Sequence, residues 1–97
     1  MPKLIKVVKA DNNKNKLTAV FKLDNGKEKR VSFGQLGADD YTKTKDKEQR
    51  KRYRTRHKKD LDTADPLRKG FLSFYLLWGD STSLRENIKN YKKRFNL

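Results

Sequence analysis

The sequence contains no cysteine, one histidine and only 12 acidic residues among its 97. Without cysteine, neither a disulfide framework nor a thiolate metal site can form, which is compatible with a reducing compartment. Long apolar runs are also missing, since the longest, residues 71–78, is far shorter than the ~20 residues that span a bilayer. The N-terminus lacks the apolar stretch of a signal peptide, so we expect a protein that is not secreted.

Motifs of known catalytic sites are absent as well. The sequence has no Walker loop, dinucleotide fingerprint, zinc-ligand spacing or nucleophile elbow. His57 has no partner spaced for a triad or a metal site. Asp60, Asp62 and Asp65 could hold a divalent ion for phosphodiester cleavage, but Asp65 has a better use as a helix cap. We therefore expect no enzyme activity, no metal and no cofactor.

Positive charge is abundant instead: 26 Lys and Arg residues against 12 Asp and Glu give a formal net charge of +14. The excess is concentrated in residues 43–59, where ten of seventeen residues are basic and only Asp46 and Glu48 are acidic. Such a run repels itself, and an anionic partner lowers its free energy. The predicted binding residues are Lys43, Lys45, Lys47, Arg50, Lys51, Arg52, Arg54, Arg56, Lys58 and Lys59.

Nucleic acid is the favoured partner, with double-stranded DNA first. The arginines at 50, 52, 54 and 56 alternate along the chain and would fan around a helix, which suits contact with phosphates better than base recognition. An acidic protein surface is the alternative partner. A charged face that only contacts solvent is the third possibility.

The chain is predicted to form one α+β domain, residues 1–97. Residues 1–34 alternate between apolar and polar with period two and predict an antiparallel three-stranded meander, with strands at 3–10, 16–23 and 27–33. We expect the meander to pack against C-terminal helices. It is either a structural hairpin or a ribbon that contacts the ligand.

The turn between the second and third strands can be predicted more closely. A two-residue Asn25-Gly26 loop would scatter the apolar side chains over both faces. A three-residue loop, Asp24-Asn25-Gly26 with Gly26 left-handed, pairs Leu17 with Phe33 and Ala19 with Val31 on one face. The longer loop is therefore predicted.

A glycine-containing connector, residues 35–42, leads to a long basic helix predicted over residues 43–60. The helix is expected because the segment contains neither Pro nor Gly, and Thr42 is its predicted N-cap. Its semi-apolar positions are spaced by four and predict a narrow stripe against the core, formed by Tyr53, His57 and Leu61.

Two further helices are predicted within residues 65–97. Asp65 and Pro66 mark the start of the first and Gly79 its end. The second begins at a capping box that starts with Ser83. Its predicted apolar stripe is Leu84, Ile88, Tyr91 and Phe95. Its opposite face is a second, weaker basic surface formed by Arg85, Lys89, Lys92 and Lys93.

The helix expected at residues 66–78 is apolar almost all round. It is either the centre of the core or a patch for a partner, and a membrane surface is a further alternative. Core is favoured because a domain of this size needs such a helix to cover its sheet. The aromatic rings could also stack on unpaired bases, with Tyr53 the best placed because it lies among the arginines.

Between Phe33 and Ile88 the chain resembles an uncharacterised family of small basic proteins encoded by large nucleocytoplasmic DNA viruses. The residues that carry the resemblance are Phe33-Gly34, Gly37, Asp40-Tyr41-Thr42, Lys45-Asp46, Arg50-Lys51, Tyr53, Arg56-His57-Lys58, Asp65-Pro66, Gly70-Phe71, Leu77-Trp78, Ser83-Leu84 and Ile88. The chain departs from the family pattern at Ala64, where an aromatic residue is expected.

This resemblance implies a viral protein located in the virion, the host cytoplasm or the nucleus. It transfers no catalytic residue. Small basic viral proteins either coat the genome or cement acidic capsid surfaces, so the resemblance implies a genome-associated protein or a minor capsid or scaffold component that binds acidic coat protein.

Overall fold

The computed structural model describes residues 2–97 and begins with a three-stranded antiparallel sheet. Its strands are β1 (Lys3–Lys9), β2 (Asn15–Lys22) and β3 (Glu28–Gln35), in the spatial order β1-β2-β3. The predicted meander and the α+β class are confirmed. The predicted strand ends differ from the observed ones by one or two residues.

The β2–β3 turn has the longer loop that the sequence predicts. Leu17 pairs with Phe33 and Ala19 with Val31, and Gly26 is left-handed with φ of 81°. Ala19, Phe21 and Phe33 are almost fully buried and belong to the core, so this face of the sheet packs on the helices.

The prediction of one continuous basic helix over residues 43–60 is wrong, because the helix is interrupted before Lys47. The structure has a short helix α1 (Tyr41–Thr44) and a separate helix α2 (Lys47–His57), with Lys45 left-handed between them at φ of 59°. A 3-10 helix (Lys58–Thr63) follows α2 directly.

Two aspartates explain this break. Asp40 caps α1 by accepting the backbone N–H of Lys43, and Asp46 caps α2 by accepting those of Glu48 and Gln49. Each carboxylate satisfies amides that have no partner within their helix. Thr42, the predicted cap, lies inside α1 and donates its hydroxyl to Asp40.

The apolar helix also begins later than predicted. The side chain of Asp65 accepts the backbone N–H of Leu67 at 3.0 Å, which holds a turn at Pro66 and delays the helix. Helix α3 (Lys69–Leu72) then continues into a π-helical turn (Ser73–Leu77).

This α3–π segment is the centre of the core. Phe71, Leu72, Phe74, Leu76, Leu77 and Trp78 are each at most 6% exposed. The segment therefore presents neither an apolar docking patch nor a membrane-binding face. No helix within residues 2–97 combines the length and the apolar character needed to cross a membrane.

The last helix, α4 (Leu84–Arg94), confirms its predicted cap and stripe. The hydroxyl of Ser83 accepts the N–H of Glu86. The predicted stripe packs on the core with Tyr91 fully buried. The buried Asn87 binds the carbonyl oxygen of Leu76 and both backbone groups of Ser81, which fixes the loop that joins α4 to the π-helical turn.

A buried ion pair joins the sheet to the start of α1. The Lys16 ammonium lies 2.5 Å from the Asp40 carboxylate, whose side chain is only 5% exposed. The same carboxylate caps α1, so one side chain fixes the connector to β2 and orients the segment that leads to α2.

We predict that Asp40→Ala lowers the free energy of unfolding by about 2 to 3 kcal/mol, because it leaves the largely buried Lys16 ammonium unpaired and removes a helix cap. Its neighbour provides the control: Asp39 is half-exposed, and its carboxylate lies 3.7 Å from the Lys43 ammonium. Asp39→Ala should unfold close to the wild type. Urea unfolding of both variants measures the two losses in free energy of unfolding. Equal losses would show that Asp40 does not fix the connector to β2.

Candidate anion-binding surface

Helix α2 has one face toward the core and one toward solvent. The half-buried positions recur every three or four residues, as on one side of a helix: Gln49, Arg50, Tyr53, Arg54 and His57. The exposed positions are Lys47, Glu48, Lys51, Arg52, Thr55 and Arg56. Neither face contains an aliphatic residue, so α2 must be held to the core by other means.

A column of stacked rings provides the first attachment. Tyr53 lies between His57 and Trp78, with ring centroids 4.1 and 4.4 Å away and interplanar angles of 22° and 9°. Burial raises the pKa of Tyr53, with the nearby Asp60 carboxylate adding to the effect. Both faces of Tyr53 are occupied, so the alternative in which it stacks on an unpaired base is wrong.

Two arginines provide the second attachment, at the end of the π-helical turn. Arg54 donates from Nη1 to the carbonyl oxygen of Trp78 at 2.7 Å, and its guanidinium carbon lies 4.1 Å from the centroid of the Phe74 ring. Arg50 donates from Nε to the carbonyl oxygen of Gly79 and from Nη2 to the Asp80 carboxylate, both at 2.7 Å.

These arginines satisfy carbonyls that a helix end leaves without partners, and their charge opposes the negative end of the helix dipole. Burial lowers the pKa of Arg54, and the neighbouring positive charge of Arg50 lowers it further. An arginine nevertheless remains protonated at neutral pH. Arg50 and Arg54 therefore hold α2 in place as cations.

The remaining eight predicted residues are exposed to solvent: Lys43, Lys45, Lys47, Lys51, Arg52, Arg56, Lys58 and Lys59. Lys43 and Lys45 belong to α1 and to the junction after it. The other six lie together on the outward side of α2 and on the first two residues of the 3-10 helix.

Internal carboxylates neutralise little of this charge. Among the ten predicted cations, and within residues 2–97, only Lys43 and Arg50 lie within 4.0 Å of a carboxylate, those of Asp39 and Asp80. The outward face of α2 carries one acid, Glu48, with no carboxylate of the described chain bound to its lysines and arginines. This face is available to an anionic partner.

The second predicted basic surface lies on α4. Arg85, Lys89, Lys92 and Lys93 are all exposed. The neighbouring Arg94 instead packs over the Tyr75 ring, 5.0 Å from its centroid, and faces the α2 side of the molecule.

A third basic surface lies on the sheet, on the ribbon whose contact with a ligand the sequence left open; its residues were not among those predicted. The register places Lys3 opposite Lys22, and Lys6 and Arg30 on either side of Val20. Directly paired residues share a face, so these four cations lie on the face turned away from the core. Glu28 lies 3.9 Å from Arg30. The basic residues within the predicted strands were the available signal, but which of them share a face is known only from the register, including the irregularity between Leu4 and Lys6.

Two of the three carboxylates considered for metal binding have other partners. Asp60 lies 3.0 Å from Nδ1 of His57, and Asp65 lies 3.5 Å from Nε of Arg68 besides capping the turn at Leu67. Across residues 2–97, no three His, Asp or Glu side chains are grouped closely enough to hold a metal ion.

Residues 5–57 match the model of a family of unknown function (DUF5754). The chain belongs to this family. The matched segment contains α1, α2 and the sheet except for the first two residues of β1. The DUF5754 region therefore includes the two inward arginines and four of the six exposed cations, and it ends before Lys58 and Lys59. No curated protein and no solved structure matches the chain.

We predict that Arg54→Ala lowers the free energy of unfolding by about 2 kcal/mol, because it leaves the Trp78 carbonyl without its donor and removes the contact with Phe74. Arg52→Ala is the matched control: it removes the same charge from an exposed position two residues away and should leave unfolding nearly unchanged. Urea unfolding at matched ionic strength compares the two. A larger loss in Arg52→Ala would contradict the assignment of Arg54 as an anchor.

Proposed function

We propose that this protein binds nucleic acid through its backbone phosphates, without strong sequence specificity, and has no catalytic role. The observation that carries the proposal is the outward face of α2, where six exposed cations, including Lys58 and Lys59 just beyond the helix, meet one acid, Glu48. The fold leaves these charges unneutralised. Binding to a polyanion would release its condensed counterions, which is the main source of affinity in phosphate recognition.

The distribution of the cations supports contact with phosphates rather than bases. They are spread over the whole outward half of α2, whereas base recognition needs a few side chains directed into one groove. The rings that could stack on bases are occupied or buried: Tyr53 lies inside the ring column, and Trp78 and Tyr91 are in the core. Double-stranded DNA is therefore favoured over an unpaired strand.

The viral context is part of the proposal. The resemblance to small basic proteins of large DNA viruses supports a role close to the viral genome, in the virion or at the site of its assembly. The alternative is a minor capsid or scaffold component that uses the same cations on an acidic coat protein. Burial of the α3–π segment leaves that alternative without its apolar docking surface.

We predict measurable binding to random-sequence duplex DNA at low salt, with the logarithm of the affinity falling against the logarithm of salt concentration with a slope of about −3 to −5. Fluorescence anisotropy from 25 to 200 mM salt measures it. Polyglutamate of matched charge serves as the carboxylate competitor.

Two variants with the same loss of charge locate the surface. One replaces Lys51, Arg52, Lys58 and Lys59 by Gln, and the other replaces Arg85, Lys89, Lys92 and Lys93 by Gln. The first should lose at least about 30-fold in affinity and flatten the salt slope, and the second should lose much less. Absence of DNA binding at 25 mM salt would reject the proposal, and displacement of DNA by polyglutamate at equal charge would favour the acidic-protein alternative.

A further inference from the structure

We propose that the groove between α2 and the α3–π segment is the track for one strand of sugar-phosphate backbone. This inference rests on the proposed function and specifies which side of α2 contacts the phosphates. The groove has a volume of about 560 Å³. It is open to solvent, so a backbone strand can reach it without any rearrangement of the fold.

One wall of the groove is a straight row of cations. Lys47, Lys51, Arg54 and Lys58 recur at spacings of four, three and four residues, which aligns them along one edge of α2. The row spans about 16 Å at the helical rise per residue. A backbone strand that follows this row brings several phosphates within reach of its three lysines.

The opposite wall is aromatic and already covered by cations. It is formed by Phe74 and Tyr75, with Leu61 at the end of the groove. Arg54 lies over Phe74, and Arg94 lies over Tyr75. These rings exclude water on one side of the groove while their faces are unavailable to bases, so the wall favours a sugar-phosphate chain over a stacked base.

The groove also concentrates positive potential. Its only acidic side chain is Glu48. Arg54 lies half-buried inside it and is repelled by Arg50 and Arg94, an effect partly offset by the Asp80 carboxylate, which does not line the groove. Attraction between a phosphate and these cations is strengthened around the half-buried Arg54, because less water screens it there.

Cations on the other flank of α2 provide a matched comparison. Arg52, Arg56 and Lys59 are exposed and equal in number to the groove lysines, but none of them lines this groove. If the strand lay across the whole outward face of α2, both sets would contribute equally. The groove instead predicts that Lys47, Lys51 and Lys58 contribute most of the phosphate contacts.

The test compares two triple variants that each remove three charges. One carries Lys47→Gln, Lys51→Gln and Lys58→Gln, and the other carries Arg52→Gln, Arg56→Gln and Lys59→Gln. For a 20-base-pair duplex we expect the groove variant to lose about 30-fold or more in affinity and to reduce the steepness of the salt slope by about 2 to 3. The flank variant should lose about fivefold or less. Urea unfolding confirms that both variants remain folded.

Equal losses in the two variants would overturn the groove while leaving the proposed function intact. A wild-type protein that fails to bind any DNA at low salt would instead overturn the proposed function. A single-stranded 20-mer forms a second arm. If the groove variant loses more affinity than the flank variant mainly for the duplex, the groove holds a strand of double-stranded DNA. If this difference is larger for the single-stranded 20-mer, the groove holds an unpaired strand.

Discussion

The binding surface depends on how a helix with no aliphatic side chain is attached to the core. Arg54 and Arg50 make the attachment by donating to the carbonyl oxygens of Trp78 and Gly79, where the π-helical turn ends. The stacked rings of Tyr53 and Trp78 complete it. Because two of the cations are used internally, the others are directed outward. The basic segment thus stabilises its own position, and its remaining charge stays exposed to solvent, where we propose that a partner binds.

The sheet could be predicted from sequence almost to the residue. Period-two alternation located the strands, and the requirement that Leu17 and Ala19 share a face with Phe33 decided the turn. The basic segment was predicted less well. Its composition indicated a continuous helix, but Asp40 and Asp46 each cap a separate helix, and composition alone does not reveal which of several polar residues will cap.

The candidate site was predicted as a set of residue types, and only the structure sorted them by role. The arginines at 50, 52, 54 and 56 were all predicted as binding residues, because nothing in the local sequence indicated that the carbonyls of Trp78 and Gly79 would lie beside α2. That contact joins positions more than twenty residues apart. The groove beside Phe74 and Tyr75 was invisible for the same reason, since its two walls come from separate helices.

Helix α2 is proposed to divide its cations between anchors and ligand contacts, and side-chain NMR can distinguish the two groups. We expect slow solvent exchange of the Nε–H of Arg50 and fast exchange for Arg52 and Arg56 in the free protein. Addition of a short duplex should then shift the ammonium signals of Lys51 and Lys58 while leaving those of α4 nearly unchanged. Uniform exchange among these arginines, or lysine signals on α2 that do not respond to DNA, would contradict the account.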